Sequence, residues 1–307
     1  MINFLLLFTL LKHSLSLRGG IFERKKEYYK EEEILFYAVL KNISENPVTI
    51  FLPWMWSYLP LPNFTCIWLD IYDEDGKIVF DPSIEYFRPF MPKPNEKSAG
   101  AWKWVNNFKY TLMPKDSVFI FGSSKDLFFN FKKTYYFKRI ILETKDKNLS
   151  YWGFHVEDLE HEVNDTIRFK SIEDPELSKI VRILSFGLWI EGKGYFKYSE
   201  SDLKEFIKKY RKTEFLPLFY YKLCEIYVKE RRINEIISIL DTLFTYYPKS
   251  QYTLITYGYV SQMEDEKSKI VYDYIEKKYS DNPILEMDRK DAGKIIWDKL
   301  TKKGRAK

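Results

Sequence analysis

One short segment recurs in the last hundred residues, and its spacing constrains the fold more than any other feature of the chain. The three copies begin at Tyr210, Tyr247 and Tyr279, which lie 37 and 32 residues apart. Each copy ends a stretch with helical hydrophobic spacing, and a period in this range is typical of stacked helical hairpins. Such arrays present a groove to a partner, so the C-terminal part predicts a binding architecture.

Length and charge narrow the class of protein. The 307 residues suffice for about two domains, each with its own hydrophobic core. The net charge of +5 is small, and acidic residues alternate with basic ones along the predicted helices, which argues against nucleic-acid binding. We interpret the basic and aromatic segment 131–139 as a strand with one solvated face. Cys66 and Cys224 fall in different predicted domains, so neither a disulfide framework nor a thiolate metal site is expected.

The N-terminus carries a short apolar run over residues 3–11, followed by Lys12, His13 and the sequence Ser14-Leu15-Ser16. The run is shorter than the roughly 20 residues that span a bilayer. It suits the hydrophobic region of a secretory signal, although no Lys or Arg precedes it. A buried first strand or helix is the alternative. We predict a signal peptide over residues 1–16 and an extracytoplasmic bacterial protein, periplasmic or secreted, with no transmembrane span beyond an uncleaved signal.

The N-terminal half has the period-two pattern of strands. Ile34, Phe36, Ala38 and Leu40 share one face of the first clear example, and the Asp75-Gly76 turn between two alternating runs predicts a hairpin. Further strands are predicted over 48–52, 66–72, 77–80, 109–112, 117–121, 135–142 and 163–169. Short strands with frequent turns and no intervening helices predict an antiparallel β-sandwich over residues 22–170.

The order of these turns and strands resembles that of small bacterial immunoglobulin-like domains, and the layout is similar to that of the intracellular proteinase-inhibitor domain. The resemblance covers roughly residues 28 to 145. It rests on the strand ending at Lys41-Asn42, the strand over 48–51, the hairpin at 75–77, the turn at 112–116 and the strand start at 135–137. It implies a fold only, because no residue of an inhibitory loop can be carried over.

After Pro175 the apolar spacing becomes helical, first at Leu177, Ile180, Val181, Leu184 and Leu188. Residues 216–248 resemble a tetratricopeptide repeat, with a Pro217 start, an Arg231-Arg232 turn and a Tyr247-Pro248 end. The inward positions would be Tyr220, Leu223, Cys224, Tyr227, Ile236, Leu240 and Leu243. The turn lacks the usual Gly, and Ile236 is bulkier than the small residue expected where the helices approach. We predict a tetratricopeptide-like helical array over residues 175–302, with a capping helix beginning at about Pro283.

The resemblance to tetratricopeptide arrays implies that the helical groove holds a protein or peptide partner. Four residues on the first repeat helix lie off its packing stripe and are the candidate partner-binding residues: Tyr221, Lys222, Glu225 and Lys229. The alternative interpretation of these residues is an ordinary solvated face.

A second group of candidates lies in two aromatic loops of the N-terminal half. Rigid aromatic side chains next to prolines can stack on sugar rings or grip a peptide, and the group comprises Trp54, Trp56, Tyr58, Trp102 and Trp104. More often such residues plug the open end of a sandwich. The alternative function is therefore a sandwich that acts directly as a protease inhibitor or glycan-binding module, with the helices as a scaffold.

We found no arrangement that predicts catalysis. His155, Glu157, Asp158, Glu160, His161 and Glu162 crowd one segment between the predicted domains, and such side chains can bind divalent metals. The histidine spacing suits neither one helix face nor an HExxH motif, so we interpret the segment as an exposed acidic linker. The sequence predicts an exported, non-enzymatic binding protein without cofactor or metal.

Overall fold

The computed structural model describes residues 13–51, 54–55, 65–79, 109–124, 132–144, 150, 153–190, 194–195, 197–263, 266–282 and 284–285. Within these residues, strands in largely antiparallel sheets occupy the N-terminal part and six α-helices follow. The predicted order, strands followed by helices, is confirmed. We refer to residues 13–170 as the strand half and to residues 175–285 as the helical half.

The strands of the strand half form three sheets. Their bounds are β1 Leu15–Ile21, β2 Tyr28–Tyr29, β3 Leu35–Asn42, β4 Val48–Phe51, β5 Trp54–Met55, β6 Thr65–Asp73, β7 Lys109–Leu112, β8 Ser117–Ser123, β9 Thr134–Thr144 and β10 Leu159–Lys170. One sheet has the order β1-β3-β8, a second has the order β2-β10-β9-β6-β5, and β4 pairs with β7. Only the two-residue strands β2 and β5 run parallel to their neighbours.

The two larger sheets contribute to one hydrophobic core. Ile34, Phe36, Ala38 and Leu40 are all buried in it, as the alternating pattern predicts. The rings of Phe36 in β3 and Phe137 in β9 meet edge to face with their centroids 5.6 Å apart. Side chains of opposite sheets therefore interlock in this core, which is what a period-two pattern with one apolar face requires.

The segment that separates the two predicted domains differs from the expectation. Glu160, His161 and Glu162 lie within β10, paired with β9, so the prediction of an exposed acidic linker was wrong for these residues. Only Leu159, Ile167 and Phe169 of β10 are buried, and its other side chains are polar or partly exposed. A strand with so few buried apolar residues resembles a linker in sequence.

The helices begin directly after β10. Their bounds are α1 Pro175–Phe186, α2 Glu200–Lys209, α3 Leu216–Glu230, α4 Ile233–Tyr246, α5 Gln251–Tyr259 and α6 Glu266–Lys278. The short strands β11 Trp189–Ile190 and β12 Gly194–Tyr195 pair between α1 and α2, and a 3₁₀ turn, Val260–Met263, follows α5. Asp174 caps α1 through bonds from two backbone N–H groups, and Ser199 with Asp202 forms a capping box on α2.

Each described helix packs mainly against helices one or two places away in the sequence. Helix α3 packs against α1, α2, α4 and α5, while α4 packs against α5 and α6. Six of the seven predicted inward positions are buried in the helical core, namely Leu223, Cys224, Tyr227, Ile236, Leu240 and Leu243, while Tyr220 is only partly buried against it. Leu35 of β3 belongs to this same cluster. The strand half thus packs directly on the helices instead of being held by a linker alone.

A candidate binding cavity at the end of helix α1

An open cavity of about 390 Å³ lies where the C-terminal end of α1 meets the first turn of α2 and one face of α3. A volume of this size suits one or two bulky side chains of a ligand. The lining residues are Ile183, Leu184, Ser185, Phe186, Gly187, Lys197, Tyr198, Leu203, Lys222, Glu225, Ile226 and Lys229.

Helix α3 contributes four of these residues from a single face. Lys222, Glu225, Ile226 and Lys229 stand at positions i, i+3, i+4 and i+7, which is the spacing of neighbours along one side of a helix. Three of the four residues predicted from the sequence to face the groove therefore line the same cavity. Ile226 was not among them, because its apolar side chain could equally have belonged to the packing stripe.

Tyr221, the fourth predicted residue, lies beneath the cavity and not on its surface. Its side chain is only 8% exposed, so the expectation of a solvent-facing residue was wrong. The ring stacks on Tyr252 of α5 at 6.2 Å, and the hydroxyl donates to Glu225 Oε1 at 2.9 Å. Burial raises the pKa of Tyr221 well above its usual value, and Glu225 adds to the effect, so the phenol remains a hydrogen-bond donor.

Positively charged side chains outnumber negatively charged ones among the residues that line the cavity. Lys222 Nζ lies 3.1 Å from Glu225 Oε2 and 4.5 Å from the centre of the Tyr221 ring, so this lysine and this carboxylate largely neutralise each other. Lys197 and Lys229 are exposed at the cavity, and neither forms an ion pair with a residue that the structure describes. The rim therefore has an excess of positive charge.

The end of α1 supplies apolar surface and hydrogen-bond acceptors. Phe186, which lines the cavity, is 36% exposed, and Leu188, two residues further along the chain, is 42% exposed. Gly187 ends the helix at φ 80°, and its N–H donates to the Ile183 carbonyl. The carbonyls of Leu184, Ser185 and Phe186 accept no backbone hydrogen bond from the described residues, so they are free to accept one from a ligand.

The wall formed by α2 is fixed to α3 and α4 by an ionic cluster around Glu200. This carboxylate accepts from Tyr227 at 3.0 Å and from Arg232 at 2.8 Å, and it also pairs with Lys204. The hydrogen bond from Lys204, followed by those from Arg232 and Tyr227, lowers the pKa of Glu200 to about 2. The cluster holds the first turn of α2, and with it Leu203, at the cavity.

A segment of the strand half lies against the helices next to this site. Glu31, Glu32 and Glu33 are all buried, and Ser178 of α1 donates to Glu31 at 3.0 Å. The amide of Gln251 in α5 bonds to the backbone of Leu35 and of Glu33. The helical half therefore already holds one acidic piece of chain, which turns at Glu31 and Glu32 before it enters β3.

The five aromatic candidates of the strand half have no described side-chain environment. Trp54 lies in β5, but the structure describes nothing of its side chain, and Trp56, Tyr58, Trp102 and Trp104 lie outside the described residues.

Cys224 is fully buried, and burial raises the pKa of its thiol, which keeps it protonated.

The histidines come together in an arrangement that the sequence did not predict. His13 Nδ1 lies 2.5 Å and His155 Nε2 lies 2.8 Å from the two oxygens of Glu157. Within the described residues, no group of three or more His, Cys, Asp or Glu side chains has an arrangement that could hold a metal ion. The contact joins the start of the chain to the segment before β10.

No known protein-family model matches the chain, and no curated protein is significantly similar to it. None of the described helices has both the length and the apolar character needed to cross a membrane. The functional interpretation therefore depends on the cavity and its surroundings.

Proposed function

We propose that this chain is a non-enzymatic binding protein whose helical half holds a segment of a partner protein. The observation that carries the proposal is the cavity of about 390 Å³ between α1, α2 and α3, into which three of the four residues selected from the sequence project. Exposed Phe186 at its edge, and Lys197 and Lys229, which form no ion pair with a described residue, are the features by which a surface recognises a partner.

The arrangement of the helices supports this proposal. Helices α3 and α4 pack as a pair, and α3 contacts both α1 and α5, as the first helices of neighbouring tetratricopeptide-like hairpins do. In the same proposal the strand half is an immunoglobulin-like sandwich. It acts as a support, because Glu23, Glu31 and Leu35 pack against or bond to the helices.

The side chains in the cavity favour binding over catalysis. The acidic group, Glu225, is already engaged by Tyr221 and Lys222, so it is poorly placed to accept a proton from a substrate. Histidine and cysteine do not occur among the lining residues. Apolar and basic side chains around a concave surface are suited to hold a ligand without transforming it.

The proposal also includes export of the protein from the cytoplasm. The apolar run over residues 3–11 and the small residues Ser14 and Ser16 fit a secretory signal, and the protein would act in the bacterial cell envelope or outside the cell. Cleavage after Ser16 would remove the first two residues of β1, including the buried Leu15.

Photo-cross-linking tests the location of the binding site. A benzoylphenylalanine replaces Ile226 in the cavity or, as the control, the exposed Lys208 on α2, and both proteins are irradiated in host extract. We expect a discrete cross-linked partner from position 226 that is absent from position 208. Equal products at the two positions would contradict the proposal. Partner capture that survives changes in the cavity and disappears in Trp54→Ala would assign binding to the strand half.

A further inference from the structure

We infer that the ligand of this cavity is an extended peptide segment in which an acidic residue lies next to a bulky apolar residue. The inference rests on the proposed function, because it names the chemistry of the partner that the same cavity holds. Charge, shape and the protein's own packing each support it.

The charge balance requires an anionic ligand. Glu225 is neutralised by Lys222, while Lys197 and Lys229 have no ionic partner among the described residues. A carboxylate placed near the last two would gain favourable interactions with both, and salt would weaken them because both lysines are exposed. A basic segment would instead meet like charges.

The remaining cavity wall selects a peptide over a simple anion. Ile183, Leu184, Leu203 and Ile226 form an apolar lining that suits one Leu, Ile or Phe side chain. The end carbonyls of α1 accept no backbone hydrogen bond from the described residues, and a peptide backbone could donate to them through its N–H groups, which an inorganic anion lacks. Only a segment with both kinds of side chain and a backbone satisfies all three surfaces.

The protein itself shows that its helices accept such a segment. Glu31 and Glu32 lie in a turn, and Glu33 and Ile34 lead from it into β3 at Leu35. This run is bonded to α1 through Ser178 and to α5 through Gln251. Tyr221 is close to both places, since its hydroxyl donates to Glu225 in the cavity and the charge of Glu33 helps to raise its pKa. The same helical surface thus accommodates acidic and apolar side chains together.

Selection from a peptide library tests the inference. Random octapeptides displayed on phage are selected on the immobilised full-length protein. Selection is repeated on the charge-reversed variant Lys197→Glu/Lys229→Glu and on the matched control Lys208→Glu/Lys212→Glu, whose lysines are exposed on α2 and just after it. Both lysines of the cavity are exposed and outside ion pairs with the described residues, so the variant should fold; a thermal melt of each protein checks this, and Lys197→Gln/Lys229→Gln provides a milder change.

We expect the wild type and the control to enrich peptides with Asp or Glu beside Leu, Ile or Phe. An enriched peptide should bind the charge-reversed variant about tenfold more weakly or worse, and its affinity for the wild type should fall as salt is added. Enriched peptides without acidic residues, bound equally by all variants, would overturn the inference and leave peptide binding in place. No enrichment on the wild type would overturn both the inference and the proposed function.

Discussion

The side-chain amide of Gln251, in the first turn of α5, forms two hydrogen bonds to the backbone at Leu35 and Glu33, one as acceptor and one as donor. Its Oε1 accepts from the Leu35 N–H at 2.8 Å, and its Nε2 donates to the carbonyl of Glu33. The side chain is 3% exposed, so water cannot replace either bond. Glu23 of the strand half accepts in turn from the Gln251 N–H at 2.9 Å, a favourable place for a carboxylate at a helix N-terminus.

Replacing Gln251 with Ala should therefore destabilise the whole protein and not the helices alone. Two buried backbone groups lose their partners, and each costs about 1–3 kcal/mol, so we expect a loss of roughly 2–5 kcal/mol. Urea unfolding monitored by circular dichroism measures it. The exposed Glu205→Ala on α2 serves as the control and should change stability by no more than about 0.5 kcal/mol. Equal stability of both variants would mean that the two halves hold together without these bonds.

A buried ion pair forms a second connection in this region. Lys25 Nζ lies 2.8 Å from Glu32 Oε2, and it also approaches Glu23 and, in the helical half, Glu214. Glu32 is 2% exposed, and burial raises its pKa although Lys25 acts in the opposite direction. Removing one partner leaves an uncompensated buried charge.

We expect Lys25→Met to cost about 3–5 kcal/mol, and Lys25→Met/Glu32→Gln to recover part of that loss. A group whose pKa is raised by folding stabilises fully below its unfolded pKa and less as the pH rises through the folded value. Without Lys25 the pKa of Glu32 should rise further, so the deficit of Lys25→Met relative to wild type should be largest at neutral pH and shrink in acid. Unfolding curves across this pH range check the trend. A deficit that is independent of pH would show that lost packing, not charge, dominates.

The strands of the first half could be predicted because their pattern is local. The alternation from Ile34 to Leu40 and the Asp75-Gly76 turn each depend on residues that are neighbours in sequence. Helix α5 could not be predicted in the same way, because residues 251–257 are buried on every side. A helix packed on one side by helices and on the other by strands has no polar face to reveal its period.

The candidate site shows the same limit. The spacing of Lys222, Glu225 and Lys229 was sufficient to place them on one face, but it could not reveal that α5 covers Tyr221. The contribution of α1 was missed because Leu184 belongs to a regular core stripe. The predicted stripe extended to Leu188, which was wrong, because Gly187 ends α1 at Phe186 and leaves Leu188 42% exposed beyond the helix. Gly187 was the available signal for this helix end.

The turn between α3 and α4 explains a departure from the tetratricopeptide pattern. Arg231 occupies the position where Gly is usual, and it adopts φ 58°, a left-handed conformation that costs a residue with a Cβ about 1–2 kcal/mol. We expect Arg231→Gly to be more stable than Arg231→Ala by roughly 1 kcal/mol, because both lose the side chain but only Gly relieves the backbone. Thermal melts compare the two. Equal melting temperatures would indicate that the backbone shifts to accommodate alanine.

Export can be tested on the protein as its host makes it. If the signal is cleaved after Ser16, the intact mass should correspond to a chain that begins at Leu17, and the protein should appear outside the cytoplasm. Loss of Leu15 from the core should also make the cleaved form less stable than the full chain, by up to about 1.5–3 kcal/mol for a fully buried apolar side chain. A cytosolic protein that retains Met1 would end the export proposal.

Lysine footprinting shows whether the cavity on the helical half is the binding site. The full-length protein is acetylated briefly with and without a saturating amount of an enriched octapeptide, and the extent of modification at each lysine is measured by mass spectrometry. We predict that Lys197 and Lys229 lose reactivity in the presence of the peptide while Lys208 and Lys212 react as before. Unchanged reactivity at Lys197 and Lys229, with protection confined to lysines of the strand half such as Lys109 or Lys133, would contradict the account.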